Sequence, residues 1–116
     1  MATLPDFISR VITENFVFAA AATKSAAVRT NFAAARGFYI PANWTNAQLT
    51  FEASVDGVNF YEMRNANNIP LSITLTEASK VYALSANDLS TILYLKLVSG
   101  IAQVNAVTVP VTFLSL

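Results

Sequence analysis

Glu52 and Glu62 stand on either side of Asp56-Gly57, and a tight turn there brings two carboxylates face to face. Paired carboxylates are the minimal apparatus of glycoside hydrolysis, one acting as acid and the other as base or nucleophile. The same glutamates also suit the water-facing side of an ordinary strand, because each holds the polar parity of its segment. That solvated face is the expectation. The remaining acids are Asp6, Glu14, Asp56, Glu77 and Asp88. The chain has no cysteine and no histidine. Disulfides, zinc sites, thiol nucleophiles and a serine–histidine pair are thereby excluded. Lys24-Ser25 supplies the residue types of a serine–lysine dyad, but adjacency in sequence says nothing about reach. Gly37, Gly57 and Gly100 lie too far apart to cradle a phosphate. Asp56 or Asp88 with loop carbonyls could ligate calcium, although no calcium motif surrounds them. No catalytic residue, cofactor or metal is expected.

Binding chemistry is better represented. Trp44 and Tyr61 are flat aromatics of the kind that stack on sugar rings, with polar neighbours to fix orientation. Against this, a lone tryptophan in a small β domain usually belongs to the core. Asn43-Trp44-Thr45 matches the N-glycosylation acceptor pattern, but Asn43 reads first as a turn residue.

The composition bounds what such residues can do. A chain of 116 residues fits one domain and can bury a core without staples. Hydrophobic residues make up 54% and charged residues 12%, about half the roughly 25% of an ordinary soluble domain. Part of the apolar excess is expected to be buried against other chains. The formal net charge is zero, and the seven Lys and Arg residues are scattered. Nucleic-acid binding needs them grouped, so nucleic acid is not an expected partner. No apolar run approaches the roughly 20 residues of a membrane-spanning helix, so no membrane is expected either. MATLPDFISR makes a poor secretory n-region, which points to synthesis in a cytoplasm without a removable leader.

The elements that must position these residues read as β. Residues 19–36 are alanine-rich, which favours helix, but show no clean helical stripe; small-residue strands are expected ahead of helix, and an N-terminal arm is also compatible. Phe7-Ile8 and Val11-Ile12, after Pro5, suggest a short amphipathic turn. Gly37 to Ile40 is a strand stopped by Pro41. Leu49 to Val55 alternates cleanly as a half-buried strand. Asp56-Gly57 then marks a hairpin, with Val58 to Arg64 as the return strand. A two-residue loop pairs Val55 with Val58. A three-residue loop pairs Ser54 with Val58 and sets Tyr61 across from Phe51. Leu71 to Thr76 and Lys80 to Leu84 are further strands, and Ser85 to Leu89 is a connection with one helical turn capped by Ser85. Ile92 to Val98 is apolar on both faces and is placed centrally. The last strand lies within Gln103 to Leu116, where Pro110 marks an edge or a bulge. Short strands and short turns predict an all-β, antiparallel sandwich. Residues 1–36 form an N-terminal segment or arm that could belong to the sandwich, and 37–116 form the sandwich itself.

The run IPANWTNAQLTFEASVDGVNFYEM resembles a pattern in small tailed-phage virion structural proteins of the capsid decoration, or cement, type. The shared features are a proline, a Trp-Thr pair, a strand ending in Ser-x-Asp-Gly and an aromatic pair. YLKLVSG and the terminal strand extend the resemblance over residues 38 to 116. The departure is Asn65-Ala66-Asn67-Asn68, where the family carries a glycine-rich loop. The resemblance implies a jelly-roll-like sandwich with no enzymatic activity. It implies attachment to the capsid surface after synthesis in the host cytoplasm, bridging subunits of the major capsid protein. It also implies a homo-oligomer, with a trimer as the expected closed form. The alternative is a glycan-binding adhesion module of a tail fibre or spike, using Trp44 and Tyr61.

Overall fold

The computed structural model describes residues 10–75, 77–83, 89 and 92–115. The chain forms two antiparallel sheets packed face to face. Among the described residues nine strands run in the order β1 (Arg10–Phe18), β2 (Val28–Arg29), β3 (Ala34–Ile40), β4 (Leu49–Ser54), β5 (Tyr61–Glu62), β6 (Ser72–Ile73), β7 (Lys80–Ala83), β8 (Tyr94–Ser99) and β9 (Val107–Ser115). The first sheet has the order β1-β9-β3-β7. The second has the order β2-β8-β4-β5, with β6 also paired to β4. The chain crosses between sheets at most connections, which is the wrapping of a jelly roll.

Alternation builds the core. Phe16 and Phe18 of β1, Phe38 of β3, Val109, Val111 and Phe113 of β9 face inward from the first sheet. Leu49 and Phe51 of β4 and Leu95 and Leu97 of β8 meet them from the second. Phe38 and Phe51 touch across the layers, with ring centroids 5.7 Å apart. Each fully buried aliphatic or aromatic side chain here contributes roughly 1.5–3 kcal/mol.

Several expectations need correction. The boundary at 36/37 falls inside β3, and β1 forms a nine-residue ladder with β9. Residues 10–36 therefore belong to the sandwich and are not an arm. Val11 and Ile12 lie on a strand, while Phe7 and Ile8 lie outside the described residues, as do Ser85 to Asp88. The hairpin takes neither expected register: Glu52 pairs with Glu62 and Ala53 with Tyr61. The cause is Asp56, whose carboxylate holds Val58 and Asn59 in a longer loop and shortens the return strand to two residues. The strand after Leu71 is likewise shorter than expected, with only Ser72–Ile73 paired. β8 is central as expected, flanked by β2 and β4, but it begins at Tyr94 and buries only alternate residues.

Pro110, expected at an edge or a bulge, instead lies in an interior strand, between β1 and β3. The Val17 carbonyl accepts the Ala26 N–H from outside the sheet at 2.9 Å. Odd-numbered residues of β1 therefore turn their backbone polar groups away from β9. Asn15 is one of them, so its partner Pro110 directs its nitrogen toward β3. The ladder to β3 begins only at Val111. Proline's missing N–H falls where no strand asks for it.

Candidate functional site

The residues singled out for chemistry do not converge. Glu52 and Glu62 are directly opposed, as a hairpin requires, but each carboxylate holds its own cation. Lys24 Nζ lies 2.8 Å from Glu52, and Arg64 lies 2.7 Å from Glu62. With its ammonium on Glu52, Lys24 is not aimed at Ser25. The Ser25 hydroxyl is buried, donating to the Ala26 carbonyl and accepting the Leu97 N–H, both at 3.0 Å. Among the described residues no three acids gather where a metal could be held. Asp56 spends its oxygens on N–H and O–H donors of its own loop.

Trp44 and Tyr61 are separated by burial. Trp44 is 4% exposed and meets Phe18 edge-on at 5.4 Å, so its ring face is not open to a sugar. Tyr61 is 72% exposed and borders a groove of about 310 Å³ with Ala53, Val55 and Leu93. Asn43 sits in the Pro41–Trp44 turn, closed by the Trp44 N–H on the Pro41 carbonyl at 3.2 Å.

The distinctive surface is one that single residues do not announce. Register assigns the outer side of the first sheet. On β1 it carries Val11, Thr13, Asn15 and Val17. Their β9 partners are Leu114, Thr112, Pro110 and Thr108. Gly37 and Tyr39 extend it on β3, and Val81 and Ala83 on β7. None of these paired positions is charged. Arg36 lies in the β3 bulge with its Nε buried and without a hydrogen-bond partner, and Lys80 stands at the rim.

The outer side of the second sheet is the reverse. Glu52 stands between Lys96 and Glu62, with Lys24, Arg64 and Arg29 around them. The Lys96 ammonium caps the Phe60 ring at 4.3 Å. One face is thus dressed for water and the other is not.

The uncharged face also has relief. Where β3 and β9 part beyond Val111, a shallow groove of about 410 Å³ opens, lined by Tyr39, Ile40, Pro41, Ser79, Lys80, Val81, Thr108 and Pro110. Val11 and Val17, on the far side of the face, project into solvent at 69% and 47% exposure. Sequence reading missed this surface, because it exists only once four strands are set in register. The available signal was the polar-but-uncharged parity of the segment now seen as β1.

Fold and surface together define a small two-sheet β-sandwich with one charged and one uncharged outer face. No protein-family model matches the chain, and no curated protein matches it. Among solved structures it is similar to the SPBc2 prophage-derived protein YomS. The identity is 16% and the TM-score 0.55, over 93% of this chain and 97% of that one. A Yersinia pseudotuberculosis-derived mitogen aligns over 94% of this chain and 87% of its own, at 10% identity and a TM-score of 0.36. The first likeness establishes a shared fold, and the second is too loose to carry an argument.

Proposed function

We propose that this chain is a non-enzymatic structural component of a phage virion, decorating the capsid and bridging subunits of the major capsid protein as a homo-oligomer. The observation that carries this reading is the partition of charge between the two outer faces. An uncharged four-strand face is poorly suited to permanent exposure and well suited to burial in an assembly. The likeness to the SPBc2 prophage-derived protein, over nearly the whole of both chains, supports a phage setting. Repeated over a shell, many modest contacts of this kind raise the cost of local opening. Synthesis in the host cytoplasm and residence on the capsid surface follow from the same reading.

The test is a virion fractionation. Particles of the source phage, purified by density gradient, should contain the chain in a fixed ratio to the major capsid protein. Particles lacking it should lose their genome at lower temperature, and added protein should restore them. Absence from purified particles would overturn the proposal. A glycan-binding role in a tail fibre or spike would now rest on Tyr61 and its groove without Trp44, and a sugar panel that shifts the Tyr61 resonances would favour it.

A further inference from the structure

The uncharged face carries both a groove and the means to fill it. The groove lies on the β3–β7 side, between Pro41, Val81 and Thr108. The projecting side chain is Val17, on β1 at the opposite edge of the same sheet. Val17 pairs with Thr108, so it stands at the same level along the strands as the groove. A two-fold axis parallel to the strands, running along the middle of the face, leaves that level unchanged and exchanges the edges. It lays β1 of each copy over β7 of the other. Val17 then arrives above the groove twice, once from each copy.

We propose that this face pairs with the same face of a second copy about such an axis, seating Val17 of each copy in the β3–β7 groove of the other. The inference rests on reading the face as an assembly surface and adds the occupant. Charge favours self-pairing. A two-fold contact sets every charge against its own kind near the axis; the paired positions of this face carry none, and Arg36, in the β3 bulge, is a half-buried cation close to it. Area permits it. β1 and β9, of nine residues each, give a length of about 30 Å, and the shorter β3 and β7 widen the face to roughly 15–20 Å over part of that length. That is on the order of 500 Å² per copy, close to the roughly 1,000 Å² in total that a specific interface needs. An interface at the low end of the specific range suits a reversible association rather than a permanent one. The contact is a sheet-on-sheet packing, the same physics that joins the two layers within one chain. A contact of this type closes at two copies, not three.

The experiment is light scattering of the full chain across a dilution series from millimolar to sub-micromolar. The expected result is a reversible passage between twice the chain mass of 12.5 kDa and the single chain. Val17→Glu and Val81→Lys, each at an exposed site, should each weaken the dimer by about 100-fold, since each buries an unpaired charge. Far-ultraviolet dichroism should stay unchanged in both. A mixture of the two variants should recover part of the dimer, because the new glutamate of one chain comes within two residues' rise of the new lysine of the other, a gap the two long side chains span. Ser72→Glu, on the second sheet, should leave the dimer intact. A wild-type chain that is monomeric throughout, a trimer, or a mixture that does not recover would each overturn the inference. A monomer that still coats virions would overturn self-pairing alone, and a dimer missing from virions would support it while removing the virion role.

Discussion

Asp56 organises the loop that contains it. One carboxylate oxygen accepts the Val58 N–H at 2.8 Å, the Asn59 N–H at 2.9 Å and the Ser54 hydroxyl at 2.8 Å, and the other accepts from the Asn59 amide at 3.0 Å. The Asn59 backbone bond first, then those of Val58, Ser54 and the Asn59 side chain, hold the acid well below the ordinary carboxylate range. A depressed native value means the loop's contribution is complete above the unfolded aspartate range, near pH 4. It fades as pH falls through the native value. The urea midpoints of wild type and Asp56→Asn should therefore differ most at neutral pH and converge toward pH 2. Constant separation would show that the carboxylate is not what is lost. Gly57 follows at φ 78°, and an added Cβ there would lie 3.1 Å from the Tyr94 ring. Gly57→Ala should cost on the order of 1–2 kcal/mol by denaturant titration, through a left-handed backbone that alanine resists. Trp44 reports on the sugar question. Its emission should be blue-shifted and indifferent to a broad sugar panel, since the ring lies against Phe18 in the core.

Strands were largely legible in the sequence, and their neighbours were not. The alternation of Leu49, Phe51 and Ala53 against Thr50 and Glu52 is visible without a structure, and β4 follows it. The hairpin register was not visible, because side-chain capture by Asp56 lengthened a loop that backbone rules alone would close sooner. β1 was obscured by the alanine-rich stretch that follows it, although Phe16 and Phe18 are among the most buried residues of the chain. Its ladder to β9 joins opposite ends of the sequence, so the two strands depend on each other across almost the whole chain. Deleting residues 1–18 should therefore abolish cooperative thermal unfolding rather than release an appendage, a difference calorimetry resolves. Gln103 is one of the side chains that pin the loop before β4, with Asn43 and Thr45. Gln103 is fully buried, accepts the Thr45 N–H at 2.7 Å, and donates to the Thr45 carbonyl and the Ser99 hydroxyl. Gln103→Leu keeps the bulk but strands those groups, and should cost about 2–4 kcal/mol.

At the scale of the whole molecule, the outward paired positions of the first sheet carry no charge, while Lys24, Glu52, Glu62, Arg64 and Lys96 gather on the second. The low charge fraction of the sequence implies that apolar surface awaits a partner, but not where that surface lies. That answer needs the register of β1, β9, β3 and β7 together, because each strand alone contributes only two to four outward residues. The partition has a consequence that separates it from an ordinary electrostatic contact. Opposed charges weaken as salt rises from 0.05 to 0.5 M, because the screening length falls from above about 10 Å to a few ångströms. A contact between faces without charge has nothing for salt to screen, and sulfate should tighten it by exclusion from the apolar surface. The dissociation constant of the pair should thus hold steady in sodium chloride over that range and fall in ammonium sulfate. Sedimentation velocity at matched protein concentration measures both. A steep rise in dissociation with sodium chloride would move the contact to the other side of the molecule, where Lys24, Glu52, Glu62, Arg64 and Lys96 stand.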